Sequence, residues 1–393
     1  MRFIFQFITV SLLTTTIASA QSTYVTGIWT DYNGFWASSR PTISTILPDT
    51  SHMLLAFTVG GNTYSTGVDD AKLIANGVTF EDARFRSLDI SAPLNFGVTQ
   101  PRYHMGAMCD GDLANATGNV QITVDGVTSP LLYSADINVQ RAQARRLFED
   151  GLKGLNLGTG MVNIPNQTIE LPFPATGLST GFGDGEPELI FTQTAAPNLT
   201  AKDSVCLLDA SGNLLGQKIP LDWSDPTGNR VARWKTDQIE RATGAAVASE
   251  IAQNKPIQLI ALDFSDFGMT SAQAALVAKL AFDFNTQSDF AFMAYNERSF
   301  VDCATAAVTL SSITPIAASS PSAYDGEMLP TITGSGTAPY SLRQVGTSTL
   351  IGATDWDEFR PGVYMMEAVD DLHCASTSAK RVMIPNVRCD LPG

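Results

Sequence analysis

Basic side chains are scarce in this sequence. Lys and Arg together number 24, Asp and Glu number 39, and there are three His, so the formal net charge of the 393 residues is −15. Proteins that bind nucleic acid neutralise phosphates with clustered Lys and Arg. In this chain the surplus lies with the carboxylates, which repel a polyanion. The composition therefore excludes nucleic acid as a partner.

Long hydrophobic runs are also missing. After the first twenty residues, no segment approaches the roughly 20 consecutive apolar residues that a membrane-spanning helix needs. The first twenty have the pattern of a secretory signal peptide, with Arg2, an apolar run at 4–13, and the small residues Ala18 and Ala20 at the cleavage site. We expect a signal peptide at residues 1–20 and a secreted, extracellular protein without a membrane span.

Cysteine is rare, and its spacing is unlike that of a zinc site. The chain contains no C-x-x-C pair, and its five cysteines are Cys109, Cys206, Cys303, Cys374 and Cys389. In an oxidising compartment an odd number leaves at least one thiol unpaired. One hypothesis pairs Cys374 with Cys389 and Cys109 with Cys303. The alternative is that the thiols are buried and free, packing as small hydrophobic groups.

Motifs of hydrolytic enzymes are absent as well. There is no Gly-x-Ser-x-Gly elbow and no His-Glu-x-x-His, and the three imidazoles are those of His52, His104 and His373. A glycosidase, however, requires only two carboxylates at a suitable separation. The acidic residues therefore leave a polysaccharide-degrading enzyme, a glycoside hydrolase or lyase, as an alternative function.

The chain is rich in short apolar stretches separated by turn residues. Residues 53–59 and 63–66 flank a Gly-Gly-Asn turn, and 120–124 alternates strictly between apolar and polar residues before an Asp-Gly pair. Both patterns predict β-hairpins. Repeated short strands of this kind predict an all-β fold, with a large antiparallel β-sandwich over residues 21–306.

Helical signals are few. Good helix formers occupy 138–153, an Ala-rich stretch covers 238–253, and a third segment at 271–280 begins next to the capping residues Thr270 and Ser271. We expect these segments to be short helical insertions in the sandwich.

The composition changes near residue 306. A Ser-, Pro- and Ala-rich stretch leads into four predicted strands at 328–333, 340–345, 362–369 and 381–384. This number of strands within about eighty residues is typical of an immunoglobulin-like module. The sequence therefore predicts a second, small immunoglobulin-like β-sandwich over residues 307–393.

Four aromatic residues lie close together near the start of the first domain. They are Trp29, Tyr32, Phe35 and Trp36. Exposed aromatic rings bind the apolar faces of sugars or of partner proteins, so Trp29, Tyr32 and Trp36 are our candidate ligand-binding residues. The alternative is that they fill the core. In a strand, Trp29 and Phe35 would face one side and the other two the opposite side, which places at least half of the cluster in the core.

An acidic, glycine-containing loop is the candidate metal site. Asp184, Glu186 and Glu188 alternate with small or turn-forming residues. Oxygen donors at alternate positions, with glycines that permit a tight wrap, are what calcium requires. We therefore expect a structural calcium ion here and no organic cofactor, although an acidic turn that leads into a strand at Leu189 is the alternative. Asp263 and Asp266 form a weaker pair of donors.

Several stretches resemble the adhesin-like cell-surface proteins that Bacteroidota export through the type IX secretion system. They are YVTGIWTDYNGFW at 24–36, SHMLLAFT at 51–58, GDGEPELIFTQ at 183–193 and DFAFMAYN at 289–296. The C-terminal segment, with PGVY at 361–364 and VDDLHC at 369–374, is similar to the immunoglobulin-like repeat of gliding-motility adhesins. The resemblance implies surface display and adhesion. It supplies neither a defined ligand nor catalytic residues.

These observations favour a secreted cell-surface protein that binds without catalysing a reaction. The expected partner is a glycan or a neighbouring cell surface. Two alternatives remain beside this prediction: the polysaccharide-degrading enzyme, and a structural component of a surface layer that assembles through its edge strands.

Overall fold

The computed structural model describes most of the chain after its first 22 residues. The described residues are 23–90, 102–106, 121–124, 127–130, 146–173, 177–178, 181–195, 200, 202–223, 230–240, 243–285, 288–300, 308–320, 323–336, 338–345, 350–370, 374–376 and 379–385. The predicted signal peptide lies outside these residues, as do Cys109, Cys303, Cys389, His373 and most of the predicted helix at 138–153.

The largest sheet has nine antiparallel strands. They are β1 Thr23–Tyr24, β6 Phe85–Ser87, β7 Arg102–Gly106, β10 Thr159–Ile164, β12 Leu189–Gln193, β15 Ala232–Glu240, β16 Gln253–Leu262, β18 Ser288–Phe290 and β19 Met293–Asn296. Eight of them follow the order β18-β10-β7-β15-β16-β12-β19-β6, and β1 also pairs with β16. Apart from β15 and β16, the strands that pair in this sheet are distant from one another in the sequence, so the sheet is built mainly by long-range pairing.

Two four-stranded antiparallel sheets accompany it. One has the order β3-β2-β4-β5, and its strands are β2 Gly27–Thr30, β3 Trp36–Ser39, β4 Leu54–Val59 and β5 Asn62–Ser65. The other has the order β11-β17-β13-β14, and its strands are β11 Gln167–Pro172, β13 Ser204–Leu208, β14 Leu214–Pro220 and β17 Lys279–Phe284. A separate hairpin joins β8 Gln121–Val124 to β9 Val127–Pro130.

The nine-stranded sheet is buried on both faces. In β12, Leu189 and Phe191 pack in one hydrophobic core, whereas Ile190 packs in another. In β16, Ile260 packs in the first of these cores and Leu259 packs in the second. Because successive side chains of a strand point to opposite faces, a strand covered on both sides has no polar face. The continuous apolar runs of β12 and β16 are thus explained.

The four-stranded sheets cover these two faces. Residues such as Leu207 and Phe282 of the β11–β17–β13–β14 sheet belong to the first core. Ile28 and Phe57 of the β3–β2–β4–β5 sheet belong to the second. The all-β class predicted from the sequence is confirmed, and its larger part is a stack of three sheets.

The C-terminal part has a hydrophobic core of its own, formed by residues between Val308 and Ile384. It contains the antiparallel pair β20 Val308–Ile316 and β21 Glu327–Gly334, and a sheet of order β23-β22-β24-β25. The strands of that sheet are β22 Ser341–Gln344, β23 Leu350–Ile351, β24 Gly362–Val369 and β25 Lys380–Ile384. The domain boundary at residue 306 and the immunoglobulin-like topology stay predictions.

The described helices are short. Helix α1 covers Asp70–Ala75 and packs Leu73 against the outer side of β4. Helix α2 covers Ser271–Ala274, and a capping box between Thr270 and Gln273 begins it. The helix predicted at 271–280 is therefore present only in its first four residues, and the last two of that segment belong to β17. The 3-10 helices are Tyr32–Gly34, Leu152–Gly154, Ala248–Glu250, Phe264–Phe267, Glu297–Phe300 and Ala353–Asp355.

The predicted helix at 238–253 is wrong. Its first residues belong to β15, which pairs with β7 through Glu240, and β16 begins at Gln253. Gly244, at φ +69°, lies in the connection between the two strands. Helix propensity differs among ordinary residues by less than about 1 kcal/mol each. Strand pairing of β15 with β7 on one side and with β16 on the other outweighs the helix propensity of this Ala-rich segment.

The cysteines that the structure describes differ in state. Cys374 is disulfide-bonded, whereas Cys206 is a buried free thiol. The predicted pairing of Cys374 with Cys389 involves a residue outside the described ranges. Across the described part of the chain, no helix has the length and apolar character needed to cross a membrane.

Candidate functional site

A surface cleft of about 320 Å³ lies beside the acidic loop. The turn between β4 and β5 forms one wall, the loop at 183–187 forms a second, and the residues that follow β16 form a third. The lining includes an amide, a phenol, two carboxylates and a hydroxyl group, from Asn62, Tyr64, Asp263, Asp266 and Ser265. Such a cleft is large enough for a small ligand and offers it mainly hydrogen-bonding groups.

Asp263 holds two of these walls together. Its Oδ1 accepts hydrogen bonds from the amides of Ser265, at 2.7 Å, and Gly183, at 3.2 Å. Its Oδ2 accepts one from the amide of Gly185 at 3.1 Å. Gly183 and Gly185 have φ values of +74° and +84°, a conformation that glycine adopts without strain. The loop is therefore shaped by glycine and anchored by a carboxylate about eighty residues away.

Asp266 has a structural role in the same turn. Its Oδ2 accepts a hydrogen bond from the amide of Asp263 at 2.9 Å, which completes a capping box at the start of the 3-10 helix Phe264–Phe267. Burial raises the pKa of Asp266, and the neighbouring Asp263 charge adds to this effect. Both cleft carboxylates are thus bound to backbone amides.

The side chains of the predicted metal ligands Asp184 and Glu186 accept hydrogen bonds from different donors. Asp184 Oδ1 accepts a hydrogen bond from the amide of Glu186 at 2.8 Å. Glu186 Oε1 accepts one from Asn296 Nδ2 at 2.6 Å, and burial raises the pKa of Glu186. Over the described ranges, no three His, Cys, Asp or Glu side chains form a group that could hold a metal ion. The calcium ion stays a prediction.

Glu188 is fully buried at the end of the loop. Its Oε2 accepts a hydrogen bond from the amide of Phe264 at 2.7 Å. Its backbone continues the sheet, because the amide donates to Leu262 O and the carbonyl accepts from the amide of Asn296. Burial is the main reason why the pKa of Glu188 is raised well above its usual range, and the negative charge of Asp263 adds to it.

The aromatic cluster divides between two sides of its sheet. Tyr32 and Trp36 are 7% and 6% exposed and belong to the second core. Trp29 and Phe35 are partly buried against the outer group around Leu55. The Tyr32 hydroxyl donates to Asp49, and Trp36 Nε1 donates to Ser44. Tyr32 and Trp36 therefore do not form an exposed platform, and ligand contact at Trp29 stays a prediction.

His52 is placed for packing. It is fully buried between the rings of Tyr32 and Trp234, with ring centroids 6.3 Å away in both cases. Its Nδ1 lies 2.8 Å from the carbonyl oxygen of Thr50. Burial lowers the pKa of His52 to about 4, so the ring is neutral at pH 7.

No sequence motif marks Asn62 and Tyr64 as site residues. Their Gly-Gly-Asn signal predicted the hairpin turn correctly, but no local pattern shows that this turn faces the loop at 183–187. The contact that reveals it is the hydrogen bond from the Tyr64 hydroxyl to Gly185 O at 3.1 Å. It joins residues 121 positions apart.

Comparison with known proteins adds little to this geometry. No protein-family model matches the chain, and no curated protein matches it. Among solved structures, it is similar to the β-1,2-glucanase from Parabacteroides distasonis, with 14% sequence identity and a TM-score of 0.20. The match covers 59% of this chain and 33% of the glucanase. A TM-score this low supports no inference about fold or activity.

Proposed function

We propose that this chain is a secreted recognition protein that binds a neutral glycan in the cleft between the β4–β5 turn and the acidic loop. The observation that carries the proposal is the lining of this cleft. It combines an amide, hydroxyl groups and carboxylates with small apolar surfaces from Val59, Pro187 and Ala261. Sugars present hydroxyl groups and apolar ring faces together, and this lining matches both.

Charge favours a neutral ligand over an acidic one. Asp263 and Asp266 line the cleft, and Asp184 and Glu186 belong to the adjoining loop. Among the residues that line it in the described part of the chain, none is Lys or Arg. A uronate or sulfated sugar would meet like charges without a paired cation, which opposes binding.

The hydrogen bonding favours binding over catalysis. A glycosidase needs one carboxyl group free to give a proton and another free to attack or to activate water. Asp263 already accepts three backbone amides, and Asp266 closes a capping box. These bonds hold both carboxylates in structural roles.

Display at the cell surface is part of the proposal. It is supported by the signal-peptide pattern at residues 1–20 and by the formal charge of −15, which favours solubility outside the cell. A structural role in a surface layer would require association through sheet edges, for which β14 and β25 are edge strands of their sheets.

The test is a binding screen with neutral and uronate-containing oligosaccharides, followed by calorimetry with the best ligand. We expect binding of neutral sugars and a loss of affinity of about tenfold in Asn62→Ala, as expected for the loss of a well-formed polar contact. Asn254→Ala is the matched control, because Asn254 is exposed near the opposite end of β16. Asn62→Ala with unchanged affinity, or binding of uronates alone, contradicts the proposal. Release of reducing sugar would favour the enzyme alternative.

A further inference from the structure

Asp266 leaves one carboxylate oxygen available at the wall of the cleft. The residue is half-buried and lines the cleft. Its Oδ2 accepts the amide of Asp263 at 2.9 Å, whereas its Oδ1 accepts no hydrogen bond from the described residues. The neighbouring Ser265 is exposed and lines the same wall, and its hydroxyl group has no partner within the described ranges. Two oxygen atoms of this wall can therefore accept hydrogen bonds from a ligand.

Negative charge acts on two walls of the cleft. Burial raises the pKa of Asp266, and the charge of Asp263 raises it further. On the wall formed by β5, burial raises the pKa of Tyr64, and the charges of Glu186 and Asp184 add to this effect. Carboxylates from three segments of the chain thus contribute to the potential in the cleft, which favours a positively charged ligand.

The protein does not supply a cation of its own to this space. Neither Lys nor Arg lines the cleft in the part of the chain that the structure describes. Arg298 lies near Glu186, but it pairs with Asp82 at 3.2 Å and is not a lining residue. A cationic group of the ligand would therefore meet acceptor oxygens without competition from a neighbouring basic side chain.

We propose that Asp266 is the specificity-determining residue of the cleft, and that its available oxygen selects glycans that carry a protonated amino group. The inference rests on the proposed glycan-binding function and narrows it to amino sugars. An ammonium group has three N–H donors, and Asp266 Oδ1 and Ser265 Oγ are the acceptors that this wall offers it. A neutral sugar with a hydroxyl group at the same position also binds, but without the contact between opposite charges.

This single contact determines the size of the preference. A hydrogen bond between charged partners is roughly twice as strong as one between neutral groups. We expect an amino sugar to bind about tenfold more tightly than the matching neutral sugar, which corresponds to about 1.4 kcal/mol. Because charges at 1 M salt are screened over about 3 Å, the preference should shrink at that concentration.

The experiment titrates the isotope-labelled full chain with matched monosaccharides and follows its amide resonances. The pairs are glucosamine with glucose and galactosamine with galactose, so that no glycosidic linkage has to be assumed. At pH 6.5 the amines are protonated, since even an α-amino group has a pKa of about 7.7–8.0. 1,4-Diaminobutane serves as a probe that carries charge without a sugar ring. Shifts of the Gly183 and Gly185 amides place the ligand in the cleft.

The main variant is Asp266→Asn. Its amide oxygen can still accept from the amide of Asp263, which retains the capping box while removing the charge. Asp209→Asn is the matched control, because the Asp209 carboxylate likewise binds amides of its own turn and does not line the cleft. The salt dependence is measured on the unmodified protein, so the test does not rely on the variant folding.

We expect an amino sugar to lose its tenfold advantage in Asp266→Asn but not in the control, while the neutral sugar keeps its affinity. Equal affinities within both pairs overturn the inference, and so does an advantage that survives in Asp266→Asn or at 1 M salt. Equally tight binding of 1,4-diaminobutane also overturns it, because the cleft then recognises charge alone. Binding of neutral sugars without any preference for the amine defeats this inference only, whereas the absence of binding by every sugar defeats the proposed function as well.

Discussion

Asp263 Oδ2 accepts a hydrogen bond from the backbone amide of Gly185 at 3.1 Å. This contact joins the residue that follows β16 to the acidic loop. The same carboxylate also binds the amides of Gly183 and Ser265. One side chain thus fixes two walls of the candidate site.

Replacing Asp263 by alanine should loosen the loop. The change leaves three amides without their acceptor, and we expect a loss of about 1–3 kcal/mol in the free energy of unfolding. Hydrogen exchange of the Gly183 and Gly185 amides should become faster, and glycan affinity should fall. Asp209→Ala is the control, because Asp209 binds only amides of its own turn among the described contacts. Unchanged exchange at Gly185 would show that Asp263 does not anchor the loop.

The two faces of the nine-stranded sheet can be tested with neighbouring residues. Leu259 and Ile260 are both fully buried but belong to different cores. Truncating either to alanine should cost about 2–5 kcal/mol, as measured by denaturant unfolding. Gln253→Ala, at the exposed start of the same strand, should have little effect. A small cost at either Leu259 or Ile260 would mean that one face of the sheet is open to solvent.

Asp289 should make stability fall as pH rises. Its pKa is raised to about 8, chiefly by burial, with Asp203 adding to the shift and Lys255 and the amide of Asn163 opposing it. In the unfolded chain the value is about 3.9. Between these pH values the folded state holds a proton that the unfolded state has released. The unfolding free energy should therefore decrease by up to about 1.4 kcal/mol per pH unit between pH 4 and 8 and level off above.

Asp289→Asn isolates this effect, because the amide cannot ionise and its oxygen can still accept from Asn163. Urea unfolding at several pH values should show the variant gaining stability relative to the unmodified protein as pH rises. Asp325→Asn, at an exposed position whose pKa is lowered by hydrogen bonds from Ser319, should not change the slope above pH 5. A stability difference independent of pH would show that Asp289 is ionised in the folded protein.

The aromatic cluster provides a test of the alternative ligand site. Trp36→Ala should cost about 3–5 kcal/mol of stability, because the ring is buried in the second core. Trp29→Ala should leave glycan affinity unchanged, whereas Asn62→Ala should reduce it. The reverse result, with affinity lost in Trp29→Ala and retained in Asn62→Ala, would place the site at the aromatic cluster.

Several strands were predictable from sequence because their signals are local. The Gly-Gly turn after Val59 is flanked by strands as predicted, and β24 covers Gly362–Val369, the bounds predicted for it. Turn residues and runs of β-branched or alternating apolar residues act on their immediate neighbours. The Ala-rich segment at 238–253 failed because its conformation depends on pairing with β7, which is far away in sequence.

The candidate site, unlike the strands, depends on contacts between residues that are distant in the sequence. The acidic loop was recognised from sequence, but the roles of its members were not, because they depend on contacts with Phe264, Asn296 and Asp263. Nothing near Tyr64 in the chain indicates that its hydroxyl meets Gly185. Side-chain partners across 70 to 120 positions arise only when the sheets stack.

By itself, the sequence determined the all-β class, the positions of several strands and the acidic character of the chain, because composition and short-range patterns suffice for these. The tertiary structure alone decided which apolar faces are covered, which aromatics are buried and which carboxylates are bound to amides. Burial and hydrogen bonding depend on the surfaces that meet after the strands have paired. These contacts join segments that are distant in the sequence, and no local sequence pattern indicates which segments will touch.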